Sequence, residues 1–300
     1  MVNNSNFAIE TTGLTKRYRR SLDAVSNLNL KVPVGSVYAF LGRNGAGKTT
    51  TIRILLDLLD RTSGQAQILG MDSVKKALEI KRRVGYVSEG QKMYDWMKVD
   101  EIIWFCKGFY PDWDDDFTAE LKRKLELPGS ARIKELSRGM QAQVALLLAM
   151  AYRPELLILD EPTAGMDVVV RRDFLEGVID IIAQEGRTVF FSSHLVHEVE
   201  RVADYVGIID KGILIYSGPI DDLKSRVKLL MLTFPSVPDS IRTFPGAIKV
   251  DRNGRQAAVT VDNYSDKTLT LAKEYGSTAI NVVDLGLEDI FISMVSPEAA

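Results

Sequence analysis

The sequence is poor in the groups that usually staple or charge a protein. A single cysteine, Cys106, stands among 300 residues, so no internal disulfide can form. It lies beside Ile102-Ile103-Trp104-Phe105, and free cysteine is among the most buried residue types; a core position is expected for it. Only two histidines occur, His194 and His197, and without an evident third ligand they make no metal site. Charge of one sign is also missing. Thirty-eight Lys and Arg face 40 Asp and Glu, a formal net charge of −2, which leaves no electrostatic footprint for nucleic acid at whole-chain level. The acidic cluster Asp112, Asp114, Asp115 and Asp116 reads as a solvated helix start rather than a cation site. The longest unbroken apolar run, residues 144–152, falls well short of the ~20 residues that a membrane-spanning helix needs. Residues 1–6 are polar and lack the apolar segment of a signal peptide. These absences predict a cytoplasmic chain, which could act at a membrane only through other chains.

What the sequence does carry is organised around Gly42-Arg43-Asn44-Gly45-Ala46-Gly47-Lys48-Thr49-Thr50, a phosphate loop of the form G-x-x-x-x-G-K-[ST]. The apolar run Val37-Tyr38-Ala39-Phe40-Leu41 ahead of it reads as a buried strand. Behind it Ile52, Leu55, Leu56 and Leu59 recur at i, i+3, i+4 and i+7, one face of a helix that Arg61-Thr62-Ser63-Gly64 would end. The loop thus falls where strand becomes helix. There the first-turn N–H groups lack intrahelical partners and point outward with the positive end of the helix dipole, a setting for polyphosphate. Gly45 and Gly47 let the backbone approach phosphate oxygens, Lys48 supplies a mobile positive charge, and the Thr49 hydroxyl is placed for Mg²⁺. A nucleotide site is expected.

A second signal closes the apolar run of residues 156–159, which reads as a parallel strand buried on both faces. Asp160 stands at its carboxyl end, where an aspartate beside a phosphate loop holds Mg²⁺ through water. Glu161 follows, placed to orient and deprotonate an attacking water, a role worth ~10²–10⁴ in rate. Strand-like runs at 84–87, 188–191 and 206–209 alternate with helical patterns at 139–152, 168–183 and 196–203, and residues 99–137 read as helix broken at Tyr110-Pro111-Asp112. This alternation predicts an α/β fold with a parallel sheet. Past residue 220 the pattern changes to a small α+β domain, with a hairpin about Asn253-Gly254 and helices over 265–275 and 287–295.

Together these residues resemble the ATP-binding cassette (ABC) ATPases over roughly residues 7–220. Leu136-Ser137-Arg138-Gly139-Met140 stands where that family has its L-S-G-G-Q signature. Ala164-Gly165-Met166-Asp167 resembles the D-loop, Ser193-His194 the switch histidine, Tyr18 the aromatic that stacks on adenine, and Glu89 falls at the Q-loop glutamine. The resemblance implies a P-loop NTPase core of ABC type over residues 1–220, with an antiparallel β subdomain and a helical subdomain at about 92–153. An accessory α+β domain follows at 221–300. It also implies an ATPase in which two cassettes, two copies or a copy and a homologous partner, close head to tail around two ATP. Each phosphate loop then meets Ser137 and Gly139 of the other chain; a second helix N-terminus adds N–H donors to the γ-phosphate, and closure expels water. Glu161 would be the base, Lys48 and His194 would hold the γ-phosphate, Asp167 would tie the sites across the dimer, and Thr49, Asp160 and Glu89 would surround Mg²⁺.

Arg138 and Met140 replace a glycine and the glutamine of the usual signature, and Glu89 replaces glutamine; Ser137 and Gly139 are kept. This combination, with Leu287-Glu288-Asp289-Ile290-Phe291 near the end, is similar to the cassettes of ABC-2-type exporters. The implied role is an exporter's ATPase subunit, peripheral on the cytoplasmic face of the cell membrane. Separate transmembrane permease subunits would dock near residues 89–97, where Gln91-Lys92-Met93-Tyr94-Asp95-Trp96-Met97 groups Met, Tyr and Trp as interface cores do. Packing against the helical subdomain is the competing use of those side chains. The alternative is a soluble ABC ATPase acting on nucleic acid or the ribosome. Such proteins commonly carry paired cassettes, coiled-coil insertions or basic extensions, none of which is present, so no nucleic-acid partner is expected.

Overall fold

The computed structural model describes residues 6–18, 23–166, 171, 177 and 186–295. The chain divides into two compact units, Met1–Ser217 and Gly218–Ala300. In the first, β1 (Phe7–Arg17), β2 (Asp23–Leu28) and β3 (Lys31–Pro33) lead to β4 (Val37–Leu41) and α1 (Lys48–Leu55). Then come β5 (Ser63–Ile68), β6 (Met71–Asp72), α2 (Ala77–Arg83) and β7 (Val84–Val87). Strands β2-β1-β5-β6, with β3 also on β1, form a sheet whose pairings are antiparallel.

Helix α1 ends at Leu55 rather than beyond Leu59. Asp57 adopts a left-handed φ of 53°, while Leu58 N–H donates to Arg53 O at 2.8 Å and Asp57 N–H to Ile54 O at 3.1 Å. This is a Schellman closure. Leu59 lies past the turn yet still packs on the core that holds Ile52, Leu55 and Leu56, so the apolar stripe is kept while the helix is not.

Between β7 and β8 (Leu156–Asp160) the chain is helical: α3 (Val99–Lys107), α4 (Asp115–Lys124), a short 3₁₀ turn at Ile133–Glu135, and α5 (Arg138–Met150). Asp114 caps α4, accepting from Phe117 N–H at 2.9 Å and from Arg153 at the same distance. The cluster around it is a helix start. Next come β9 (Thr188–Ser193), α6 (Val196–Val202), β10 (Tyr205–Asp210) and β11 (Ile213–Pro219). The helix expected over 168–183 lies almost wholly outside the described residues.

The second sheet of this unit has the order β11-β10-β4-β9-β8-β7. From β10 to β7 every pairing is parallel. Strands β4, β8 and β9 are buried at every position, as strands covered on both faces must be.

The second unit contains α7 (Ile220–Arg226), β12 (Lys228–Thr233), β13 (Ala247–Asn253), β14 (Gln256–Val261), α8 (Asp266–Glu274), β15 (Ala279–Asp284) and α9 (Leu287–Val295). Its sheet is antiparallel in the order β13-β14-β12-β15. Asn253 pairs with Gln256, so the hairpin turn is Gly254-Arg255, one residue later than the sequence suggested. Leu230, Leu232, Phe234, Ile241, Phe244, Val259 and Val261 form a core of its own.

Candidate active site

Sheet register brings the chemistry together. Leu41 lies opposite Ser193, and Asp160 opposite Ser192, so the carboxyl ends of β4, β9 and β8 stand side by side. That edge of a parallel sheet is where ligands bind. From β4 the chain enters the phosphate loop, which is pinned at two points: Gly42 N–H donates to Ser193 O at 3.3 Å, and Gly212 N–H to Ala46 O at 2.9 Å. Gly47 is the N-cap of α1, with a left-handed φ of 111° and no side-chain cap. A side chain there would strike the Ala24 carbonyl. The uncapped first turn faces a cleft of about 310 Å³, lined by Asn44, Gly45, Ala46, Gly47, Lys48, Thr49 and Thr50 and, from other elements, by Ala24, Glu89, Glu161 and His194.

Lys48 is buried, and its Nζ donates to Gly42 O at 2.7 Å and to Arg43 O at 3.4 Å. It also lies 3.1 Å from Glu161 Oε1. That contact is an ion pair without hydrogen-bond alignment, for Oε1 has no hydrogen-bond partner among the described residues. The other oxygen, Glu161 Oε2, is 2.8 Å from His194 Nδ1. Glu161 itself has a φ of 46°. A left-handed non-glycine residue is a strained turn that the surroundings must hold, as is common at functional sites. Ser192 does so here. Its Oγ accepts from Glu161 N–H at 2.9 Å and donates to Asp160 Oδ1 at 2.7 Å. Thr49 Oγ1 donates to the same Asp160 oxygen at 3.1 Å. A hydroxyl and a carboxylate adjacent at the root of a phosphate loop are hard oxygen donors of the kind Mg²⁺ takes.

Not every residue singled out in the sequence lines this cleft. Ser137 caps α5, accepting from Met140 N–H at 3.2 Å, and neither it nor Gly139 lines the phosphate cleft. The start of α5 borders a second cleft of about 400 Å³, to which Arg138, Gln91 and Gly165 contribute. Glu89, exposed on the turn after β7, and Glu161 line both clefts. Tyr18 is 44% exposed, with Lys16 Nζ 5.2 Å above its ring. Asp167 lies outside the described residues. His197 is exposed.

Sequence reasoning missed three things. Ser192, one residue before the quoted Ser193-His194 pair, is the hub of the site; two consecutive hydroxyls at a buried strand end were the available signal. Arg171, half-buried, and Glu198, buried, form an ion pair nearby, at 3.2 Å. Cys106 is half-buried rather than core, its thiol pushed up by desolvation. Around it α3 buries Val99 and Ile102, while Trp104 is 76% exposed. Helical periodicity, with 99, 102, 103 and 106 on one face, would have separated the two sets.

A parallel sheet with a phosphate loop, an acidic strand end and a histidine on adjacent strands, flanked by an antiparallel sheet and a helical insertion, defines a P-loop ATPase of cassette type. The ABC transporter family profile matches residues 25–164. The bacitracin transport ATP-binding protein BcrA of Bacillus licheniformis is 38% identical over 220 residues, covering 73% of this chain and 72% of that one. The ABC transporter ATP-binding protein YtrB of Bacillus subtilis is 26% identical over 269 residues, covering 90% and 92%; that match necessarily extends into the second unit. The dimeric structure of MJ0796, a bacterial ABC transporter cassette, superposes with a TM-score of 0.64 at 20% identity, over 71% of this chain and 98% of that one, a likeness of fold. This chain belongs to the ATP-binding proteins of ABC transporters and is an ATPase.

Proposed function

We propose that the chain is the ATPase subunit of an ABC exporter, working at the cytoplasmic face of the membrane as half of a head-to-tail dimer that drives separate permease subunits. The observation that carries this reading is a divided site. Lys48, Thr49, Asp160, Glu161 and His194 converge at one edge of the sheet, whereas Ser137 and Gly139 at the start of α5 do not line that cleft. A second chain would supply that helix N-terminus to the γ-phosphate. Residues 1–220 would form the cassette, with a helical subdomain at about 92–153, and residues 221–300 an accessory domain.

Phosphoryl transfer to water needs little covalent help, so catalysis is positioning and charge stabilisation. The loop N–H groups and Lys48 bind the β- and γ-phosphates, and Lys48 moves from Gly42 O and Glu161 toward them. Glu161, freed from Lys48, takes the proton of the attacking water, and His194 holds the γ-phosphate from the side of Oε2. Thr49 and Asp160, with Glu89 at the cleft mouth, are the residues that would hold Mg²⁺, whose chemistry there is to neutralise phosphate charge. Tyr18 would stack on adenine and Asp167 would link the two sites.

An aromatic surface supports the permease contact. Tyr94 and Trp96 are exposed, as are Trp104, Phe105 and Phe109 on and just after α3. Tyr94 packs against Trp96 and Phe105, each at 5.9 Å, and Phe105 against Phe109 at 5.3 Å. Met97, by contrast, is buried and serves the helical insertion, so the docking region near residues 89–97 would extend along α3. Contiguous exposed aromatics mark interaction sites. The named relatives are transporter subunits, which disfavours the soluble nucleic-acid or ribosome reading.

The test is to express Glu161→Gln, which should bind ATP without hydrolysing it, in native membranes and identify what co-purifies in mild detergent. A multi-spanning protein is expected. Ribosomes or DNA-bound proteins with no membrane partner would overturn export.

A further inference from the structure

Glu198 lies on α6, four residues after His194, and is only 8% exposed. Its Oε1 meets Arg171 Nη1 at 3.2 Å, and its Oε2 receives the Thr163 hydroxyl at 3.5 Å. Arg171 Nη2 then donates to Met166 O at 2.7 Å. Thr163 and Met166 belong to the turn that directly follows Glu161, where Ala164 N–H donates to Glu161 O and Met166 N–H to Thr163 O. One ion pair, with Glu198 buried and Arg171 half-buried, therefore holds the turn after Glu161 at two points and fastens it to the helix that follows His194.

An ion pair taken largely out of water is weak evidence for stability, since apolar side chains of similar volume often do as well or better. What it offers instead is a fixed geometry, because one rigid planar guanidinium aims Nη1 at Glu198 and Nη2 at the Met166 carbonyl at the same time. The groups held here are the two ends of the Glu161–His194 contact at 2.8 Å. Glu161 has a left-handed φ that its neighbours must maintain. Ser192 fixes its backbone from the strand side; the Arg171–Glu198 pair fixes the turn that leaves it.

We propose that Glu198 and Arg171 are positioning residues for hydrolysis, setting the separation of Glu161 and His194 without touching ATP. The inference rests on the reading of Glu161 as base and His194 as γ-phosphate ligand. It predicts a defect in turnover rather than in nucleotide binding, because the phosphate loop is fastened separately, to Ser193 and Gly212, and Lys48 keeps its bonds to the loop carbonyls of Gly42 and Arg43.

The experiment is steady-state ATPase kinetics of the full chain with Glu198→Gln, with the double variant Arg171→Met/Glu198→Leu, and with each change repeated in a His194→Ala background. Loss of positioning is expected to lower kcat about 10- to 100-fold and leave the KM for ATP within about twofold. The double variant, with an apolar pair in place of the ions, should keep its thermal midpoint yet share the kcat defect. In the His194→Ala background Glu198→Gln should add little, because the contact it positions is already gone; a merely structural defect would add in full. Arg171→Lys, which keeps the charge but not the fork, should fall between wild type and the double variant. Unchanged kcat in a folded variant, a parallel rise in KM, or full additivity with His194→Ala would each overturn the proposal. If wild type itself does not hydrolyse ATP, or Glu161→Gln turns over like wild type, the reading of the site fails instead.

Discussion

Ser192 joins more of the site than any side chain singled out in the sequence. It is fully buried, and its single hydroxyl serves the Asp160 carboxylate and the Glu161 backbone together. Ser192→Ala would leave the Glu161 N–H unpaired inside the protein, a loss of about 1–3 kcal/mol, and would free the strained turn. ATPase turnover is expected to drop about tenfold or more, and half-saturation by Mg²⁺ to rise because Asp160 loses a tether. An ATPase titration with Mg²⁺ checks both, and an unchanged Mg²⁺ midpoint would count against the tether. The prominent residues were readable because each carries its chemistry in its own side chain. Ser192 was not, since its importance comes from lying opposite Asp160 in the sheet.

Among the elements, β7 carries a local clamp at its start. It sits at the end of the parallel sheet order. Arg83, just before it, grips Glu155, just before β8, through bonds of 2.5 and 2.7 Å, and Glu155 N–H donates to Arg83 O at 2.9 Å. The Arg83 hydrogen bond lowers the Glu155 pKa against the opposing effect of burial. A carboxyl whose folded pKa lies below its unfolded value near ~4.3 stabilises fully above that value and loses the effect as pH falls through the folded one. Urea unfolding of Glu155→Gln should thus show a small loss at pH 7, below ~1 kcal/mol for so exposed a pair. The difference from wild type should shrink as pH is taken below about 4. A gap that widens in acid would rule the clamp out. Element types were legible from periodicity, as β7 at Val84–Val87 illustrates. Their ends were less so: α1 stops at Leu55 because Asp57 turns left-handed, and nothing in the apolar stripe announces that.

At the scale of the molecule, the second unit carries a core of its own. The second unit's core contains Phe234, buried among Ile241, Phe244 and Val259, and Phe234→Ala is expected to destabilise that unit by about 3–5 kcal/mol. ATP binding by the first unit should stay within about twofold. Calorimetry and a nucleotide titration read the two effects separately; a parallel loss of ATP binding would contradict a self-contained core in the second unit. Assembly gives the other prediction. With ATP, Glu161→Gln should sediment as a dimer, because hydrolysis no longer resolves a site shared between chains. A monomer at saturating ATP would refute the divided site.

The sequence alone determined the phosphate loop, the acidic strand end and the alternation of strand and helix, because each is written in residues that neighbour one another along the chain. The loop needs Gly47 beside Lys48, and β8 needs a continuous apolar run before Asp160; both are local requirements. Tertiary structure decided which distant residues meet. Sheet order put β9 between β4 and β8, and so made Ser192 a bridge and placed His194 on Glu161. Packing decided that α3 turns Trp104 outward while its Val99 and Ile102 go in. A pairing register and a helix's facing are set by what lies across from them, and that is specified by the whole chain rather than by any stretch of it.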